Sequence, residues 1–175
     1  EVPADNPLTA AKIELGKKLY FDPRLSSDDT ISCATCHDPR AGFAEHKPVS
    51  DGVAGGRGNR NAPTVMNAAF FREQFWDGRA PSLEAQAVGP IINPVEMAMP
   101  EHPAVEKKLA GLAEYPPLFQ KAFGDPEVTI SRIGKALASF ERTLVSLDAP
   151  IDRFLAGDAT AISGSAKRGW VLYNS

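Results

Sequence analysis

The sequence has little of what would place it in most functional classes. Its 175 residues include only two cysteines, both inside one five-residue segment, which excludes a disulfide framework for the fold. No apolar run approaches the ~20 residues needed to cross a bilayer, so no membrane span is expected. Basic residues are not in excess: 19 Lys and Arg stand against 22 Asp and Glu, a formal net charge of −3. A nucleic-acid partner therefore has no electrostatic support. Period-two alternation is weak and no internal repeat is visible, so the reading is mainly α. A secretory leader is lacking too, and Glu1-Val2-Pro3 reads as a mature or trimmed N-terminus.

Hydrophobic residues make up 43% of the chain, enough for a real core in one domain, or in one domain and part of another. The 15 prolines and 14 glycines concentrate between positions 38 and 103, and that stretch is expected to be mostly loop. Gly52, Gly55, Gly56 and Gly58 follow one another closely there. A phosphate-binding loop is disfavoured, since no strand precedes them and no GK[ST] follows.

Helices are expected over 9–20, where Thr9 caps and Asp22-Pro23 ends the element, and over 82–88, stopped before Pro90. Further helices are expected over 103–112, 116–123, 150–155 and from Ser163 onward. The clearest runs over 130–147, with Ile130, Ile133, Leu137, Phe140, Leu144 and Leu147 on one face. Trp170 and Tyr173 look exposed on the last helix, which suggests a missing continuation or a covering chain.

The two cysteines lie in Cys33-Ala34-Thr35-Cys36-His37. This C-x-x-C-H spacing lets one helical turn present two sulfurs to the two vinyl groups of a haem, with the histidine reaching the iron from the same side. Other uses fit less well. A thioredoxin-like redox pair needs a βαβ setting. A zinc site needs four ligands, and only Cys33, Cys36, His37 and His46 are on offer. A disulfide across so short a loop adds little stability. One covalent haem c is therefore expected, with His37 as the axial ligand of the iron, and with the long loops packing on the haem. Covalent attachment requires export and reduced thiols, which points to the periplasm.

Around this motif, Leu15-Gly-Lys-Lys-Leu-Tyr-Phe-Asp-Pro-Arg24, Asn61-Ala-Pro-Thr64, Phe75-Trp-Asp-Gly-Arg79, Gln86-Ala-Val-Gly-Pro90 and Asn93-Pro-Val-Glu96-Met97 occur in order. They are followed by Ala138-Ser-Phe-Glu-Arg-Thr143 and Asp152-Arg-Phe-Leu-Ala-Gly157. Together they resemble the bacterial di-haem cytochrome c peroxidase family, which includes the MauG-like proteins. The resemblance implies a cytochrome c-like haem domain with long irregular loops over 1–160, matching the family's N-terminal, peroxide-reacting half. Residues 161–175 would begin a second such domain whose remainder, with its own C-x-x-C-H, is absent.

The resemblance also implies roles. Glu96 matches the glutamate that moves a proton during O–O cleavage, Gln86 a glutamine that hydrogen-bonds bound peroxide, and Pro90 a proline that limits space over the iron. Trp76 matches a tryptophan between the two haems, a candidate electron relay. Asn61 matches a ligand of an interdomain calcium ion, whose other ligands would come from the absent half. Arg79, and less directly Arg57 or Arg60, is expected to pair with haem propionates. Many family members carry an iron-ligating histidine in the loop before Asn61. Ungapped counting puts Val53 there, so the site is expected to be open at rest, with His46 and His102 as ordinary surface histidines.

The implied activity is reduction of hydrogen peroxide to water, with electrons from a small redox protein delivered through the second haem domain. Family peroxidases are often homodimers. Two alternatives remain. One is MauG-like oxidation of a protein or organic substrate through high-valent iron. The other is plain electron transfer, with Met97 or Met99 as a second axial ligand.

Overall fold

The computed structural model describes residues 2–175. Glu1, read above as part of a mature or trimmed N-terminus, lies outside the described residues. The chain is mainly α, as expected. Its helices are α1 (Ala10–Tyr20), α2 (Cys33–Cys36), α3 (Leu83–Ile92), α4 (His102–Ala110), α5 (Tyr115–Phe123), α6 (Ile130–Glu141), α7 (Pro150–Leu155) and α8 (Gly164–Tyr173). The described residues between Asp38 and Ser82 hold only short 3₁₀ turns and isolated bridges, among them Asp38 with Ala44 and Gln74 with Ala80. No helix among the described residues is long and apolar enough to cross a membrane.

Contacts divide the chain into two compact units, one ending at Leu144 and the other spanning Val145–Ser175. The expected boundary after residue 160 lies later than this division. In the first unit, α1 and α6 form the central helix pair. Thr9 caps α1 by accepting from the Lys12 amide at 3.3 Å. Gly16 is what lets the two helices close on each other. A Cβ there would sit 1.9 Å from the Ala136 carbonyl oxygen. Gly134 does the same between α6 and α3, where a Cβ would meet the Glu84 carbonyl oxygen at 2.9 Å. Leu15, Leu19, Ile91, Leu109, Tyr115, Phe119, Ile133 and Leu137 fill the core between these helices, all fully buried. Each such side chain stabilises the fold by roughly 1.5–3 kcal/mol relative to exposure.

Two helix expectations need correction. α3 runs to Ile92 and contains Pro90, instead of stopping before it. Proline removes one N–H from the ladder, but the fully buried Ile91 anchors the last turn, and the Pro90 carbonyl accepts from Asn93 at 3.2 Å and Met97 at 3.3 Å. α6 ends at Glu141, not 147. There Thr143 turns its hydroxyl back onto the Phe140 carbonyl at 2.6 Å, and its own amide reaches the same oxygen at 2.9 Å. Leu147 is exposed.

In the second unit, Asp152 caps α7 by accepting from the Ala149 amide at 2.8 Å, and Ser163 caps α8 at the Ala166 amide. Trp170 stacks on Tyr173 with ring centroids 6.3 Å apart, and Val171, Leu172 and Tyr173 are exposed.

Candidate haem site

The cysteine motif is held as a single tight turn. The Thr35 hydroxyl accepts from the Ser32 amide at 3.0 Å, and the His37 amide donates to the Cys33 carbonyl at 2.9 Å. Both thiols are free. Fully buried Tyr20, at the end of α1, donates from its hydroxyl to the His37 carbonyl at 3.2 Å. The His37 ring is oriented by a backbone carbonyl: Nδ1 lies 2.9 Å from the oxygen of Pro63. A carbonyl only accepts, so Nδ1 carries the proton and the Nε2 lone pair is left for another partner. Burial lowers the imidazole pKa and favours this neutral form.

Cys33, Cys36 and His37 border one cavity of about 540 Å³. That volume is in the range of cofactor sites. Ile31, Val65, Leu83 and Met97 supply apolar wall, and Arg57, Arg60 and Arg79 lie at its polar edge. Two thiols, an imidazole with a free ring nitrogen, apolar walls and cationic side chains form a donor set that fits a covalently held haem. A second, open groove along Glu14, Lys17 and Phe21 has neither thiol nor imidazole.

α3 and the turn after it form another wall of the cavity. Gln86 and Pro90 stand one helical turn apart, and both line it. Glu96 lines it as well, half-buried. Its carboxylate accepts from the Asn93 side-chain amide at 2.9 Å. Burial raises the Glu96 pKa above the usual carboxylate range, against the opposing pull of Arg79 and Asn93. The backbone here is pinned from two sides. The Glu96 amide donates to the Asn93 carbonyl at 3.1 Å, and the Val53 amide donates to the Glu96 carbonyl at 2.8 Å. Gly52 makes the second contact possible, because a Cβ there would lie 2.2 Å from the Val95 carbonyl oxygen.

The remaining expected residues gather at the rim. Trp76 borders the cavity yet is 65% exposed, and its indole N–H donates to the Asn61 carbonyl at 2.8 Å. The Asn61 side-chain amide donates to the Lys47 carbonyl at 2.7 Å. The Arg79 guanidinium lies 3.6 Å from the Phe75 ring centroid and pairs with Asp77 at 2.8 Å. Arg60 holds the other Asp77 oxygen at 2.7 Å. Those two arginines hold the Asp77 carboxyl at about 2. Among the remaining candidates, Met97 lines the cavity, whereas Met99, His46, His102 and Val53 do not border it. His46 is exposed, His102 contacts the Val88 carbonyl oxygen through Nε2 at 3.1 Å, and Val53 packs against the core.

Two residues at the site were not singled out from sequence. Asn93 carries no sequence signal beyond its place in Asn93-Pro-Val-Glu96-Met97. Glu141 lines the cavity from the end of α6 while only 6% exposed. Its signal was present: it follows Leu137 by four positions and Ile133 by eight, which puts a glutamate on the helix's apolar stripe.

A mainly α unit built around a C-x-x-C-H turn, with a histidine and a carboxylate on one cavity, defines a haem c domain. Residues 10–160 match the model of the di-haem cytochrome c peroxidase family. The methylamine utilization protein MauG of Methylophilus methylotrophus is 45% identical over 98% of this chain and 51% of its own length. The cytochrome c551 peroxidase of Pseudomonas aeruginosa is 46% identical over 93% of this chain and 47% of its own. A crystal structure of a MauG-like protein associated with microbial copper homeostasis superposes with a TM-score of 0.89 at 30% identity, covering all of this chain and 52% of that one. The chain belongs to the di-haem cytochrome c peroxidase family, whose cofactor is haem c. It spans about half the length of these relatives.

Proposed function

We propose that this chain is the peroxide-reacting haem domain of a di-haem peroxidase. One haem c is attached through Cys33 and Cys36, and His37 is the protein ligand of its iron. The observation that carries this reading is the convergence of His37, both thiols, Gln86, Pro90 and Glu96 on one cavity.

A haem held by Cys33, Cys36 and His37 would supply iron to bind peroxide and electrons to cleave its O–O bond. The protein's part is proton handling and shape. Hydrogen peroxide takes up two electrons and two protons and leaves as two waters. Glu96 accepts a proton from one peroxide oxygen and returns it to the other as the bond breaks, a role suited to a carboxyl of raised pKa. Asn93 holds the Glu96 carboxylate in place. Gln86 supplies a hydrogen bond to the bound peroxide, and Pro90 narrows the space around it. Arg79 neutralises propionate charge, and Trp76 offers an aromatic path for electrons at the rim. The electrons come from a small redox protein, by way of a second haem domain. Asn61 contributes one ligand to a calcium ion completed by residues outside this chain. The protein works in the periplasm.

The deciding test is Glu96→Gln in the di-haem protein. Peroxide turnover should fall by about 10²–10⁴-fold while the resting haem spectrum is retained. Turnover within a few-fold of the parent removes Glu96 from the reaction.

A second reading is a MauG-like role, oxidising an external protein or organic substrate, with Trp76 at the cavity rim as the relay. It predicts that Trp76→Phe lowers oxidation of a large substrate while the first reaction with peroxide keeps its rate. Plain electron transfer would require Met97 to take the iron's open position.

A further inference from the structure

Glu141 is a carboxyl without a partner in a place where carboxyls are rarely left alone. It occupies the last position of α6, is 6% exposed, and faces the same cavity as Cys33 and His37. No hydrogen bond reaches its side chain among the described residues. The adjacent arginine does not neutralise it at close range, because Arg142 is committed elsewhere. Its Nη1 lies 2.6 Å and its Nη2 3.1 Å from the two oxygens of Glu84. Glu84 accepts a further bond from Asn6 at 2.8 Å. An isolated carboxylate so largely screened from bulk water is costly, so the site favours the neutral acid.

Its charge is felt by the haem-attachment turn. The Cys33 thiol is pushed up to about 12, first by burial and then by the Glu141 carboxylate. The Tyr20 hydroxyl is raised by burial, by Cys33 and by Glu141 in that order. The groups facing Glu141 are therefore Tyr20 on α1, Cys33 and, behind it, Cys36 on α2, Glu84 on α3, and Arg142 beyond the end of α6. Once both sulfurs are thioethers, neither cysteine titrates, and Glu141 is the carboxyl of this group that borders the cavity. Burial, opposed by Arg142 and assisted by Glu84, raises the Glu141 pKa to about 8.

We propose that Glu141 is a proton-binding site coupled to the oxidation state of the haem on Cys33 and Cys36. The inference rests on the haem attachment proposed above and is independent of the role given to Glu96. When one electron enters the haem, the positive charge near Glu141 falls by one, and the carboxylate takes up one proton from solvent. On oxidation the proton returns to solvent. Charge inside the dry wall is thereby balanced during each electron transfer.

The experiment is a potentiometric titration of the haem-loaded protein, followed at the optical band of this haem from about pH 6 to about pH 10. The midpoint potential should be level at the acid end, where Glu141 is protonated in both states. It should fall as pH rises and level again once Glu141 is ionised in both. Glu141→Gln should hold the acid-end potential throughout, and Glu141→Asp should keep the slope. A level profile in the parent or an unchanged slope in Glu141→Gln overturns the proposal. If Glu141→Gln fails to load haem, the redox-difference infrared spectrum of the parent decides. A carboxylic-acid C=O band that shifts in D₂O and changes position in Glu141→Asp supports the coupling, and its absence overturns it. Intact mass separates the two readings: without a haem adduct on Cys33 and Cys36 both fall, whereas an adduct with a level potential removes only the coupling.

Discussion

The backbone N–H of Val53 donates to the carbonyl of Glu96 at 2.8 Å. This bond ties the glycine-rich loop to the residue proposed to move the proton, and Gly52 is the place where the two backbones nearly touch. Gly52→Ala would drive a Cβ to 2.2 Å from the Val95 carbonyl oxygen and 2.7 Å from that of Glu96. Both are backbone atoms, so the loop itself must move. We expect a stability loss of about 1–3 kcal/mol by denaturant unfolding. The reaction with peroxide should slow as well, because Glu96 loses its backbone anchor.

The resting ferric haem should be high-spin. The described histidines other than His37 are accounted for away from the cavity: His46 is exposed, and His102 is held at the Val88 carbonyl. Val53 packs against the core, does not border the cavity, and offers only an aliphatic side chain. Electron spin resonance of the resting protein checks this. A low-spin signal of histidine–methionine ligation would mean that Met97 has closed the site.

Asn93 sets where Glu96 titrates. Its amide donates to the Glu96 carboxylate and draws its pKa down against the larger upward effect of burial. In the proposed role the active form is the carboxylate, which is lost as pH falls through that pKa. Asn93→Ala removes a downward influence, so the acid limb of the peroxide rate should move to higher pH. Stopped-flow rates across the acid range measure it, and a limb shifted to lower pH would contradict the assignment.

The Arg142–Glu84 pair joins the end of α6 to α3, the helix that carries Gln86 and Pro90. Both side chains are largely buried, at 7% and 18% exposure. Arg142→Leu leaves Glu84 charged with only Asn6 for company, and should cost about 3–5 kcal/mol at neutral pH. Burial acts to raise the Glu84 pKa, but the bonds from Arg142 and Asn6 outweigh it and hold it below 4.5. Its contribution is therefore present above pH 4.5 and is lost as the pH falls through the depressed folded value. Unfolding curves on the acid side should show this loss in the parent and a shallower one in the variant.

Legibility in the sequence followed the range of the interactions involved. α1 and its Thr9 cap could be read because capping and amphipathic spacing are local. The C-x-x-C-H turn could be read because its chemistry lies within five residues. Local propensity predicts that α3 stops before Pro90, yet the helix continues. Burial of Ile91 and two amides returning to the Pro90 carbonyl sustain it. Apolar spacing continues to Leu147, but the Thr143 hydroxyl takes the Phe140 carbonyl and α6 ends at Glu141.

What the sequence determined by itself was the haem-binding chemistry and the family. Both reside in short ordered motifs whose meaning survives without coordinates. Only the tertiary structure decided which side chains share the cavity. It paired His37 with the Pro63 carbonyl and Glu96 with Asn93, and it turned Arg142 toward Glu84, leaving Glu141 alone beside the thiols. The reason is physical: a pKa, a ring orientation or an unpaired buried charge depends on what stands within a few ångströms. Those neighbours come from helices and loops far apart in the chain.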